Sequence, residues 1–238
     1  MKNCKLVVIF LLACVLTSCR TTAILTETFE SDIIGSLPVK DIPGDPAGDQ
    51  ITYEAVLNPR LRITTSATNT GEKALTFSQA PATGLDSRNQ FVGFRGSPTS
   101  FTQPLWFYYT GTVTGYGSDL MMDITDGTSV IIVRMIITNS GDVTLMRSLP
   151  GEMEWVGNIP PGTSHTTIIS LNMNTKKYNL TIIKSGGNII AKDRPIVFGD
   201  LLYYANPAHP SIDFQFNEST FEMRKFIIES VNISRKEP

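Results

Sequence analysis

The sequence predicts an all-β chain folded as a two-sheet antiparallel sandwich. Three observations carry that prediction. Apolar and polar residues alternate at a period of two through most of the chain, as in "ITYEAVL" (51–57) and "LRITTSA" (61–67). β-Branched and aromatic side chains dominate such runs, and clusters of Gly, Pro, Asn and Asp separate them. Helical spacing is scarce, so short strands joined by short turns and stacked in two layers are what bury one face of each run.

The first residues follow a different rule. Lys2 and Lys5 precede an apolar run over residues 6–16, the layout of a secretory signal and too short to span a bilayer permanently. Leu16, Thr17, Ser18 and Cys19 come next and resemble the bacterial lipobox. That resemblance implies cleavage before Cys19 and attachment of lipid, palmitate included, to the new terminus. The expected organisation is a lipoprotein signal peptide at 1–18, a tether at 19–23 and one domain at 24–238. Each buried CH₂ of an acyl chain contributes about 0.8 kcal/mol, so two or three chains would hold a soluble domain on the bilayer. Arg20 follows Cys19 in place of the Asp that resembles an inner-membrane retention signal, which points to the outer membrane of a cell envelope.

Composition narrows the partners. Of the three cysteines, Cys4 and Cys14 leave with the signal and Cys19 would be acylated, so no disulfide staples the mature domain and its core must hold it. Loss of Lys2 and Lys5, with no acid removed, takes the formal net charge from −2 to −4. A mildly acidic chain without a run of Lys or Arg argues against nucleic acid and against electrostatic adhesion to an anionic surface.

The strands follow in order. "ITYEAVL" sets Ile51, Tyr53, Ala55 and Leu57 on one face, and "LRITTSA" sets Leu61, Ile63 and Thr65 on one face. "KALTFSQ" (73–79), "PLWFYYTGTV" (104–113), "SDLMMDIT" (118–125) and "HTTIISLNM" (165–173) repeat the pattern. The plainest hairpin is "SVIIVRMIITNSGDVTLM" (129–146), which turns at residues 139–142, where Gly141 can supply a positive φ. Arg134 interrupts its apolar first strand and must emerge at the rim or meet an acid. Further turns are expected at Asp126 with Gly127 and over residues 174–177. The long connection 35–50 carries Pro38, Pro43 and Pro46, which remove ladder donors and bar a central strand. Residues 79–90 and 203–211 read as similar loops, the places where binding residues gather.

Several separated pieces share one known order. "TFESDIIGSLP" (28–38), "GEKALTF" (71–77), "PPGTSHTTIISLNMNTKKYNLTI" (160–182) and "FIIESVNIS" (226–234) resemble, in sequence, the segments of bacterial concanavalin A-like, laminin G-like jelly rolls. Ser164, Asn172 and the pair Glu229 and Ser230 depart from that pattern. The resemblance implies a jelly-roll sandwich in which the first and last strands lie side by side, here residues 25–30 with 226–233. It also implies a glycan as ligand, making the chain a non-catalytic carbohydrate-binding, lectin-like module. A structural or protein-interaction component of the envelope is the alternative, and a glycan-cleaving enzyme the third.

Catalytic motifs do not emerge. Catalytic members of the superfold carry Glu-x-Asp-x-x-Glu on one strand, so that alternation points the carboxylates into one groove; no such run exists here. Asp119, Asp123 and Asp126 form the nearest acid cluster, with Asp126 in a turn. His165 and His209 stand far apart without ligand spacing; His165 marks a strand start. Asp41, Asp45 and Asp49 recur in the Pro/Gly-rich loop and could gather oxygens for Ca²⁺, though turn formation explains them too. Aromatics are the remaining candidates. In "LWFYY" (105–109), Trp106 and Tyr108 share one face and Phe107 and Tyr109 the other, so one pair belongs to the core and the other lies across the opposite face, where a pyranose could stack. Trp155, Tyr203 and Tyr204, placed near loops, and Arg134 complete the set of ligand-binding candidates.

Overall fold

The computed structural model describes residues 23–43, 47–53, 60–78, 90–115, 117–127, 130–148, 151–197, 208–216 and 224–237. Cys19, Asp45, Tyr203 and Tyr204 lie outside them, as do the expected signal peptide and residues 54–57 of the first quoted run. The described residues form fifteen strands and no helix. In chain order they open with β1 (Ala23–Glu27), β2 (Gln50–Tyr53), β3 (Leu61–Thr65), β4 (Lys73–Ser78) and β5 (Gln90–Arg95). The middle of the chain supplies β6 (Leu105–Thr114), β7 (Leu120–Thr125), β8 (Ile131–Ile137), β9 (Asp142–Ser148) and β10 (Glu152–Asn158). Last come β11 (Ser164–Asn172), β12 (Lys177–Lys184), β13 (Ile189–Pro195), β14 (Ser211–Phe216) and β15 (Lys225–Ser234).

They pair into two antiparallel sheets. Sheet A runs β13-β12-β11-β6-β15-β4-β3, with β1 also on β15; sheet B runs β10-β9-β8-β7-β14-β5-β2. Alternation is the reason for both. Along β6 the odd positions 105, 107 and 109 are buried and the even positions 106, 108 and 110 are half-exposed; β11 repeats this through Asn172. The inner faces meet in a continuous apolar core. At its centre Tyr109 and Phe226 of sheet A pack on Phe214 of sheet B, with ring centroids 5.0 and 4.9 Å from it. Phe77 meets Phe216 at 5.0 Å. Such pairs contribute about 0.5–1.5 kcal/mol each beyond their buried area, and they clamp one sheet to the other.

The first and last strands do lie together, over a shorter stretch than the resemblance implies. β1 pairs only with the end of β15, from Ala23 opposite Ser234 to Glu27 opposite Val231. Lys225 to Ile228 pair with β4 instead, and the register of β15 shifts between Ile228 and Ser230. Residues 28–30 leave the ladder because Phe29 adopts a positive φ of 62° and turns its ring into the core. The expected turns are present: Gly141 has φ 86° and Gly127 φ 82°, and residues 173–176 connect β11 to β12. Asn172, a departure from the family pattern, closes that turn by accepting the backbone N–H groups of Asn174 and Thr175 on Oδ1.

Candidate functional site

On the outer face of sheet A, register draws one row of side chains across five strands. Ser234 of β15 stands opposite Trp106 of β6, Trp106 opposite Ser170 of β11, and Ser170 opposite Asn179 of β12. At β13 the ladder breaks: Tyr178 pairs with Arg194 and Leu180 with Ala191, so Lys192 and Asp193 together oppose Asn179. This is a β-bulge, a device that re-aims side chains locally. Asp193 sits in the left-handed region at φ 53°. Its N–H donates to Asn179 Oδ1 at 2.9 Å, while Asn179 Nδ2 donates to Ser170 Oγ at 3.2 Å. A non-glycine residue held at positive φ is strained and persists because its surroundings fix it.

The row and bulge bound a groove of about 450 Å³. Trp106, Ile168, Ser170, Asn179, Thr181, Ile190, Lys192, Asp193 and Glu237 line it. Half-buried Trp106 gives the groove an aromatic surface, and the hydroxyl, amide, ammonium and carboxylate groups around it offer donors and acceptors of both kinds. A saccharide, apolar on the faces of its rings and hydroxylated at its edges, matches that combination. Tyr108 shares the outer face with Trp106, one pair further along, between Ile168 and Asn232.

Sheet B presents a different outer face. Asp213 of β14 lies opposite Asp123 of β7, which lies opposite Arg134 of β8. Arg134 does meet an acid: its Nε donates to Asp123 Oδ1 at 2.7 Å and its Nη2 to Oδ2 at 2.6 Å. This forked geometry is the strong form of the pair. Among the described residues Asp213 accepts from two hydroxyls, Ser211 Oγ at 2.6 Å and Thr125 Oγ1 at 3.3 Å, and the Arg95 charge also acts on it. Burial pushes the Asp213 carboxyl up to about 6; the Ser211 hydroxyl opposes that rise and the neighbouring Asp123 charge adds to it. Sequence reasoning passed over Asp213, although its place in "SIDFQF" is a visible signal: a carboxylate between alternating apolar residues must face outward, next to whatever strand pairs there.

The other candidates scatter. Trp155 lies within strand β10 rather than near a loop, 63% exposed, and its Nε1 donates to Asp142 Oδ1 at 3.1 Å. Asp41 is exposed beside Gln50, whereas Asp49 is buried with its charge felt at Glu27. Among the described residues no three His, Cys, Asp or Glu side chains gather into a group that could hold a metal ion. Asp119 accepts the Asn139 N–H, and Asp126 is fully buried at its turn. His165 opens β11 as expected, packed edge-on against Tyr109, and His209 contacts the Gly96 carbonyl through Nδ1 at 3.1 Å. Glu229, at the register shift of β15, accepts hydroxyls from Ser66 and Thr68 at 2.9 and 2.6 Å.

The sequence matches no family model and no curated protein. Solved structures share the fold. The catalytic domain of a glycoside hydrolase family 131 protein from Coprinopsis cinerea superposes with a TM-score of 0.60 at 10% identity, covering 91% of this chain and 95% of that one. Lectin II from Ulex europaeus gives 0.50 at 9% identity, covering 89% and 98%. A sialidase gives 0.52 at 12% identity over 83% of this chain, which spans only 19% of the sialidase's length. At such identities the likeness establishes the fold, a jelly-roll sandwich that occurs in both lectins and glycoside hydrolases.

Proposed function

We propose that the chain is a carbohydrate-binding module anchored by lipid on Cys19 in the outer membrane of a cell envelope, and that Trp106 is the surface on which a sugar ring rests. The observation that carries this reading is the Trp106 groove. Asn179, held by Ser170 and by the strained Asp193 backbone, presents a fixed polar edge to the aromatic surface. A groove organised before its ligand arrives loses less entropy on binding. The lectin and hydrolase neighbours support the ligand class at the level of fold.

We read the module as non-catalytic. Glycoside cleavage needs one carboxyl to donate a proton and a second to attack or to activate water. Asp213 has the raised pKa of a proton donor, but its neighbour Asp123 is committed at both oxygens to Arg134.

A glycan array probed with the detergent-solubilised full-length chain tests the proposal. Binding should appear, and Trp106→Ala should weaken it by at least about tenfold, the worth of one good stacking contact, without lowering the melting temperature. Binding that survives Trp106→Ala would remove the groove from the account, and a blank array would remove the glycan. Release of new reducing ends from the bound glycan would show an enzyme instead. Mass spectrometry of the N-terminal peptide should find acyl chains on Cys19; an unmodified thiol would refute the anchor.

A further inference from the structure

One loop near the start of the domain turns its aliphatic side chains outward. Ile33, Ile34 and Val39 are 75%, 55% and 53% exposed, yet the backbone that carries them is firmly held. The Ser36 N–H donates to the Ile33 carbonyl at 3.0 Å, and Gly35 has φ 87°, so residues 33–36 form a tight turn that needs a positive φ at its third position. The Gly35 N–H donates to the Ile63 carbonyl at 2.8 Å and the Ile63 N–H to the Ser36 carbonyl at 2.9 Å, which adds the turn as one more rung outside β3. Asp32, itself buried, accepts the Val39 N–H at 3.0 Å, and Leu37 packs against the core. A single exposed isoleucine needs no account, but three aliphatic side chains on one fixed loop make a patch. Exposed Lys40 is followed by exposed Asp41, so charge beside the patch cancels and does not select an ionic partner.

Sheet order places this patch at one edge of sheet A and the Trp106 groove toward the other. From the turn outward the strands run β3, β4, β15, β6, β11, β12 and β13. Neighbouring strands lie about 4.8 Å apart, so β6 stands about 19 Å and β12 about 29 Å from the turn. β1 lies in line with β4 on the same side of β15, opposite β6, and leads from the tether toward the patch. The six residues from Glu27 to Ile33 span at most about 21 Å, and the four from Cys19 to Ala23 about 14 Å. One flat surface can therefore meet both an acyl group on Cys19 and the patch, with β1 lying along it.

We propose, on the basis of the lipid anchor on Cys19 read above, that Ile33, Ile34 and Val39 enter the bilayer that holds the anchor and seat the domain on the β3 edge of sheet A. The side chains occupy the boundary between headgroups and acyl chains, a contact set by apolar area. A flexible tether alone lets a domain swivel; a second contact selects the edge that faces the lipid. With the β3 edge down, the groove between β6 and β13 begins about 20 Å above the bilayer. It is then presented to glycans beyond the membrane surface and not to headgroups within it.

A chain whose signal is removed and whose Cys19 is acylated has no free thiol, so one can be introduced as a probe site. Val39→Cys reports on the patch. Ile183→Cys, on β12 and 46% exposed in the parent, reports on the far part of the sheet. Each lipidated variant is labelled with bimane and reconstituted in phosphatidylcholine vesicles containing a nitroxide-bearing phosphatidylcholine. Quenching should be at least about threefold greater at position 39, which enters the lipid by about 5–10 Å, than at position 183, about 29 Å from the turn. Adding Ile33→Asp and Ile34→Asp to Val39→Cys should remove that difference without lowering the melting temperature. Equal quenching at the two positions, or stronger quenching at 183, would overturn the proposal, as would quenching at 39 that survives the aspartates. No quenching at either position, in protein that mass spectrometry shows to be acylated, would overturn it and leave the anchor in place. A free Cys19 thiol would remove the anchor and this contact together.

Discussion

Replacing Asp213 by Asn should stabilise the protein at pH 8 and do almost nothing at pH 4. The ordinary value for this carboxyl is 3.8 and the folded value about 6. A carboxyl raised by folding gives its full stability below the unfolded value, and that stability is lost as pH climbs through the folded one. Here the loss falls between about pH 4 and pH 6 and amounts to about 2 pH units, or about 3 kcal/mol as an upper figure. Asn keeps both hydroxyl contacts, because Ser211 can still donate to its oxygen and Thr125 can accept from its amide. The variant should therefore gain about 1–3 kcal/mol at pH 8. His165 acts in the opposite sense. Burial lowers it from 6.5 to about 4, so its contribution is present above 6.5 and is lost as pH falls toward 4. In the parent chain the two slopes oppose one another between pH 4 and 6; in Asp213→Asn the histidine's is no longer opposed by Asp213, so the variant's stability should rise relative to the parent's across that interval. Urea unfolding at half-unit steps from pH 4 to 8 measures both curves. A difference between variant and parent that does not grow with pH would refute the assignment of this shift to Asp213.

Two further substitutions test how the sheets are joined. Arg224 is fully buried, and its guanidinium donates to the carbonyls of Ser118, Ile137 and Thr138, tying the approach to β15 to the edges of β7 and β8. Arg224→Met should cost about 3 kcal/mol in chemical denaturation, since three buried acceptors lose their donor; a loss under about 0.5 kcal/mol would show that water replaces it. Gly111, in mid-β6, has no room for a methyl group: an added Cβ would lie 2.6 Å from the Phe226 ring and 2.7 Å from the Ile227 carbonyl oxygen. Gly111→Ala should lower stability by about 1–3 kcal/mol through forced separation of β6 from β15, and an unchanged melting temperature would contradict that packing.

What could be read in advance was local. The split of Trp106 and Tyr108 from Phe107 and Tyr109 follows from a period of two within one strand. Gly141 announces its own hairpin, and the neighbouring acid for Arg134 lies one hairpin away on β7. Distance hid the rest. Asp213 acquires its character from burial beneath its neighbours, with Asp123, ninety residues earlier in the chain, adding to it, and no spacing rule links the two. The bulge at Lys192 and Asp193 depends on how two strands fall into register, which composition does not encode. Trp155, expected near a loop, lies in mid-β10, a strand whose pairing with β9 is irregular.

The pairing of β1 with the tail of β15 has a mechanical meaning. Traction applied at Ala23 pulls along the strand axis, so every backbone bond from Ala23 to Glu27 resists at once instead of parting in succession. A five-residue strand at the margin of a sheet can in this way transmit force into the body of the domain.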